Sequence, residues 1–337
     1  MSLAVLLVTS SIAAPPFDLE RLRVDLLERP EATLASLRSA QGLLGTAFPS
    51  PRGSLDDAPV YLIDAAYSEE LLEFDVTLGW TNRSATPLPR LMLVDMPHVQ
   101  LSAADELRPR HRDHGLRLTL PTPVAPGQSV SVRVEGVVQR AEQREEPKHA
   151  WRMDISDGRV ISAWVPKVAL RSARGWEPTD PMVGDPCGAD AAIFVLALRG
   201  LPREADVVHP GVVLHETPST RLVVAVGVRE LPLLVLGPSW RRVVVPGNPP
   251  VELRAQKLPG LVQPRAERLR AQLDYLTSIL GPLPHHRVVA VAAMPDGHGI
   301  ELPGILLVPR SEGSSTGMVS AHELGHQWFY GEVGTLA

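Results

Sequence analysis

From Asp57 to about Arg140 apolar and polar residues alternate in short runs separated by turn residues. Alternation with a period of two puts one side of a strand on a core and the other in water. It is strict in Val130-Ser131-Val132-Arg133-Val134-Glu135. Runs at Val60 to Ala66, Leu72 to Trp80, Leu88 to Val94, Leu116 to Leu120 and Ser129 to Val138 therefore predict strands. Turns are expected at Thr81-Asn82-Arg83-Ser84 and at Ala125-Pro126-Gly127-Gln128, where Gly and Pro supply the backbone angles. After a looser, charged stretch from Ala141 to Lys148 the pattern resumes. Val160 to Val165, Ala191 to Leu198, Val207 to Leu214, Arg221 to Val228 and Leu231 to Leu236 read as further strands. Such a run of short strands with no helix among them predicts an antiparallel sandwich or saddle-shaped sheet over residues 15–250.

The periodicity then changes. Pro264 to Leu280 places Leu269, Leu273, Leu276 and Leu280 at steps of three and four, opens on Pro and is followed by Gly281-Pro282, which predicts a helix. An apolar strand from Arg287 to Met294, a glycine-rich turn from Asp296 to Gly299, a strand from Gly304 to Val308 and a last helix follow. That helix is expected to start near Ser314 to Thr316 and to run to Tyr330, ahead of Gly331. A boundary between an all-β part and an α+β part falls near residues 240 to 255, so 251–337 is expected to be a second, partial domain.

Composition narrows the classes. The chain has 337 residues, 44% of them hydrophobic and 21% charged, which is ordinary for packed proteins and long enough for two cores. Its 33 prolines, about twice the usual share, are scattered and favour short strands over long helices. A formal charge of -5, without a lysine or arginine block, gives no footprint for nucleic acid. One cysteine, Cys187, leaves neither an internal disulfide nor a thiolate metal cage and reads as a small core residue. Met1 to Ala14 is apolar and ends in small residues but lacks a basic start, which fits either an export signal, with a periplasmic or extracellular protein, or a frayed terminus of a cytoplasmic one. No later run reaches the ~20 apolar residues that span a bilayer.

Candidate chemistry sits in the last predicted helix, at His322-Glu323-Leu324-Gly325-His326. Residues four apart project from nearly the same side of a helix, so both imidazoles can meet one ion. Zn2+ suits neutral imidazole and leaves a place for water, and Glu323, next to the first histidine, can take that water's proton. The bland alternative is a surface helix whose histidines bond water. Against it, Ala321, Leu324 and Trp328 form an apolar stripe that would bury another side of the helix, with Met318 and Phe329 flanking the histidines. His285-His286 and the pair His111 and His114 are expected to be solvated rather than ligating.

The run His322 to Gly331, with Gln327-Trp328-Phe329 after the second histidine, resembles the zinc helix of the M1 metallopeptidases, which are aminopeptidase-like gluzincins. Gly299-Ile300-Glu301-Leu302-Pro303-Gly304 is similar to the Gly-Met-Glu-Tyr-Pro-Gly form of that family's exopeptidase motif. Trp80-Thr81-Asn82, Trp164-Val165-Pro166 and Trp176 occupy places typical of its N-terminal saddle domain. The resemblance covers roughly residues 55–337. It implies a thermolysin-like catalytic domain after the β-rich one, hydrolysis of peptide substrates, and substrate binding by Glu301, which would hold the free α-amine, and by Gly299. Leu302 and Ile300 depart from the better-known Gly-x-Met-Glu-Asn form, so exopeptidase and endopeptidase action both stay open. The family's third zinc ligand, a glutamate about nineteen residues past the second histidine, would fall beyond Ala337. The expectation is a C-terminally truncated portion of an M1-like enzyme or, alternatively, a catalytically incomplete protein with a binding role. Glu332 is a poor internal substitute, because Phe329 stands where a sharp turn would need glycine.

Overall fold

The computed structural model describes residues 18–44, 55–94, 99–112, 115–139, 152–172, 175–177, 189–256, 259–283, 285–311 and 316–329. Met1 to Ala14, the charged stretch 141–148, His114, Cys187, Tyr330, Gly331 and Glu332 lie outside them.

Among the described residues the largest sheet has seven strands, in the order Val212–Thr217, Thr220–Val228, Ala192–Arg199, Val60–Tyr67, Leu71–Thr81, Ser129–Gln139 and Val99–Ala103. Its pairs are antiparallel except one: Val60–Tyr67 runs parallel to Ala192–Arg199, with Val60 opposite Ile193. A purely antiparallel sheet was expected. The parallel pair arises because the chain leaves this sheet after Ser129–Gln139, builds other strands, and returns beside its first one.

Alternate residues of each strand serve two cores. Tyr61, Ile63, Phe194, Leu196, Val223 and Ala225 face a core shared with Leu91, Leu93, Leu116 and Leu118 of a four-stranded sheet (Lys167–Val168, Leu88–Val94, Gly115–Val124, Arg110–Arg112). Val60, Leu62, Ile193, Val195, Leu222 and Val224 face the other way. That second face is covered by two helices the alternation did not announce, Leu19–Glu28 and Pro30–Leu44. Asp18 caps the first by accepting from the Arg21 amide at 2.9 Å. Leu26 and Leu34 lie against Gly79, where an added Cβ would come within 2.9 and 2.7 Å of them. Buried Arg23 anchors the pair by bonding Thr77 Oγ1 at 3.1 Å and pairing with Asp75.

The expected strand Val207 to Leu214 is two strands in different sheets. Asp206–Val208 joins a second four-stranded sheet with Leu233–Leu236, Gly158–Ile161 and Arg152–Ile155, while Val212–Thr217 joins the large one. Pro210-Gly211 separates them, and proline cannot donate to a central ladder.

A five-stranded sheet carries the last part of the chain, in the order Trp240–Val245, Val251–Gln256, Val288–Met294, Ile305–Pro309 and Ile300–Leu302. Its middle pairs are parallel and its outer pairs antiparallel. Because Trp240–Val245 pairs with Val251–Gln256, this sheet begins before residue 251. Val289, Val291, Ile305 and Leu307 pack on Val160, Val208, Leu234 and Leu236 of the second four-stranded sheet. Val288, Ala290, Leu306 and Val308 pack on Leu269 and Leu273 of the helix Pro259–Leu280 and on Leu324 and Trp328 of the helix Thr316–Phe329. Buried on both faces, the strands read as continuous apolar runs. The first of these helices starts at Pro259, ahead of the expected Pro264, which lies inside it. Among the described residues no helix is long and apolar enough to cross a membrane.

Candidate functional site

The helix Thr316–Phe329 has two unlike sides. Ser320, Glu323, Leu324, Gln327 and Trp328 are buried at three- and four-residue steps, with the Trp328 indole N–H donating to the Gly281 carbonyl at 3.1 Å. The opposite side is open, with Met318 73% and Phe329 60% exposed. His322 is exposed and His326 half-buried. The histidine side therefore looks onto an accessible surface, while Glu323 turns inward at 5% exposure.

One turn apart, the imidazoles meet edge to face with ring centres 4.6 Å apart, and their Nε2 atoms are 3.1 Å from each other. Two nitrogens bound to one tetrahedral zinc at ~2.0 to 2.1 Å would be about 3.3 Å apart. The pair is thus already spaced as two ligands of a single ion, and its chemistry, two imidazoles with adjoining carboxylates, fits zinc.

The carboxylates come from two elements. Glu301 lies in the short strand Ile300–Leu302, at the edge of the five-stranded sheet, and is buried. Its Oε1 is 3.9 Å from His326 Nδ1. Glu301, Glu323 and His326 each present a ligand atom, all within 4.8 Å of one another. Glu323 also shares a hydrogen bond with Glu301. Burial pushes the Glu323 carboxyl above its ordinary pKa, against the opposing effects of the Glu301 hydrogen bond and nearby His322. Gly299 adjoins this carboxyl so closely that an added Cβ would stand 2.3 Å from its Oε1 and 2.7 Å from its Cδ. The glycine leaves the space that the Glu323 side chain fills.

All five residues singled out from the sequence, Gly299, Glu301, His322, Glu323 and His326, come together here. Two features at the site were not foreseen. Glu301 sits in a short strand, Ile300–Leu302, that the sequence did not announce, and Gln327 ties the helix to the sheet: its Oε1 accepts from the Gly304 amide at 2.8 Å and its Nε2 donates to the Leu302 carbonyl at 3.1 Å. An amide in the middle of a buried stripe requires partners, and that was the available signal. His111 is exposed, as expected, but His285 is buried, with its ring against Gly304. Burial holds His285 and His286 at a pKa of about 4.

No protein-family model matches the sequence, and no curated protein does. Solved structures do. A mutant M1 zinc metallopeptidase from Deinococcus radiodurans aligns with a TM-score of 0.55 and 20% identity over 81% of this chain and 64% of that one. The mutant bound to a Tyr-Ser-Ala substrate gives 0.52 and 19% over the same shares, 81% and 64%. A further structure of M1 zinc metallopeptidase from that organism gives 0.51 and 20%, again over 81% and 64%. The chain spans 64% of the length of these structures. At such identities the likeness is one of fold: over the aligned 81% of its length this chain has an M1-like fold.

Proposed function

We propose that this chain carries the metal-binding part of a zinc-dependent peptidase of the M1, aminopeptidase-like kind, acting on peptide substrates at a free N-terminus. The observation that supports it most is the pair of imidazole Nε2 atoms 3.1 Å apart on an accessible helix face, beside two buried carboxylates. Zinc held by His322 and His326 would polarise a carbonyl and lower the pKa of water. In this reading Glu323 is the general base: its carboxylate takes the proton of the attacking water and returns it to the departing amine. Glu301 holds the substrate's ammonium by a charge-assisted hydrogen bond, which fixes the first peptide bond at a set distance from the histidines. Gly299 keeps the space in which the Glu323 carboxylate lies. Catalytic zinc sites use three protein ligands, and the third is proposed to come from outside the described residues. The β-rich part up to about residue 240 supports the metal-bearing part that follows.

The test pairs elemental analysis with hydrolysis of aminoacyl p-nitroanilides by the full-length protein and by Glu323→Gln. About one zinc per chain is expected in both, with turnover reduced in the variant by roughly 10²- to 10⁴-fold. Equal turnover of the two proteins would reject the assignment. Bound zinc without hydrolysis in the parent would favour a non-enzymatic binding role.

A further inference from the structure

The turn Leu302-Pro303-Gly304 joins the edge strand that carries Glu301 to the strand Ile305–Pro309, with Leu302 opposite Ile305. Gly304 has φ +68°, the left-handed value such a turn requires at its second central residue. In a turn of this kind the amide of that residue has no backbone acceptor, and Gly304 is buried. Gln327 supplies one. Its Oε1 accepts from that amide at 2.8 Å while its Nε2 donates to the Leu302 carbonyl at 3.1 Å, and the side chain is 1% exposed. The amide thus grips the backbone on both sides of Pro303, at the Leu302 carbonyl and the Gly304 amide. Gln327 directly follows His326, and Leu302 directly follows Glu301.

We propose that Gln327 is a positioning residue, whose amide locks the histidine helix to the Ile300–Leu302 edge strand and thereby sets where Glu301 stands relative to His326 and Glu323. The inference deepens the peptidase reading and rests on it for what Glu301 holds. The edge strand has only three residues and is paired on one side; Ile300 and Leu302 bury their side chains, and the Gln327 amide is its backbone tie to the helix. A single bidentate amide at its turn fixes it. Hydrophobic contact alone would leave the strand free to slide by fractions of an ångström, enough to change a charge-assisted contact.

A double-substitution cycle tests this. Binding of L-leucinol, a free amine with no bond to cleave, is measured by calorimetry on the zinc-loaded full-length protein, on Gln327→Leu, on Glu301→Gln and on the double variant. Gln327→Leu should weaken binding about tenfold in the parent and less than twofold in the Glu301→Gln background, because residues that act through one another are not additive. Zinc stoichiometry should stay at one, and hydrogen exchange at the Gly304 amide should speed up. Gln327→Glu keeps an acceptor for Gly304 but sets a carboxylate against the Leu302 carbonyl, and should fall between the parent and Gln327→Leu. Equal weakening in both backgrounds, or unchanged binding with Gly304 exposed to exchange, overturns the positioning role. So does failure of the parent to bind the amine at all. Absence of peptide hydrolysis by the parent, with the cycle as expected, sinks the peptidase reading and leaves the positioning role standing.

Discussion

The space above Gly299 sets the place of the carboxylate that the chemistry needs. The atoms nearest to a methyl group there would be Oε1, Cδ and Cγ of the Glu323 side chain, at 2.3 to 2.7 Å, and a side chain can shift where backbone cannot. Gly299→Ala should therefore displace the carboxylate more than it destabilises the protein. The expected outcome is a change in unfolding free energy within about 1 kcal/mol and a loss of up to roughly 10²-fold in kcat/KM, the scale of a one-ångström misplacement. Denaturant titration beside steady-state kinetics reads both. At this scale much of the site was legible, because helix geometry converts a four-residue spacing directly into a shared side. Glu301 was not reachable that way. It lies on another element, and its approach to His326 depends on a sheet register that periodicity does not specify. Only the family resemblance pointed to it. Gln327 stood within that resemblance too, but what its amide bonds follows from the hairpin opposite, which no local pattern encodes.

At the scale of elements, the helix Thr316–Phe329 is held by its buried stripe. Trp328 fills the core between sheet and helices and donates to Gly281, so Trp328→Ala should cost about 3 to 5 kcal/mol. A matching loss of zinc affinity is expected, since the histidines ride on the same helix, and thermal melts with and without zinc would show it as a smaller metal-induced rise in Tm. The helical pair over residues 19–44 covers the other large apolar face. Leu26→Ala should cost about 2 to 5 kcal/mol there while leaving zinc binding unchanged, because that face lies in a separate core. A protein begun after this pair should expose Val60, Leu62, Ile193 and Val195 and aggregate, which light scattering would detect. Most strand positions were legible from alternation and turn residues. Three-residue strands such as Arg110–Arg112 and Ile300–Leu302 are too short to show a period. The helical pair escaped because the strand pattern begins only after it, although Leu19, Leu22 and Leu26 carry helical spacing.

Across the whole molecule, the five-stranded sheet and the sheet beside it meet at a polar seam. Arg254 pairs with Asp206 and with Glu252 at 3.0 Å, and an Arg287 guanidinium N–H donates to the His209 carbonyl at 2.9 Å. His209 lies at this seam with His286 near it, while His285 packs against Gly304; all three are held neutral by burial: His285 and His286 at about 4, with neighbouring positive charge adding to the effect, and His209 well below its ordinary value. In the unfolded chain each would titrate near 6.5. Protons then bind the unfolded chain first as pH falls. Stability should be full above pH 6.5 and drop steadily towards pH 4, by on the order of 3 kcal/mol for His285 alone. His285→Gln should flatten that slope in urea titrations run at successive pH values; an unchanged slope would assign the acid sensitivity elsewhere.

The parallel pairing of Val60–Tyr67 with Ala192–Arg199 has a bearing on how the protein is made. As the polypeptide emerges from the ribosome, its first strand acquires one antiparallel neighbour early but waits on its other side for a partner encoded far downstream. Until Arg199 has left the exit tunnel, a strand with two greasy faces offers an open hydrogen-bonding edge to any passing chain. Translation that halts inside that interval would yield a sticky intermediate and make the cell's demand for chaperones greatest there.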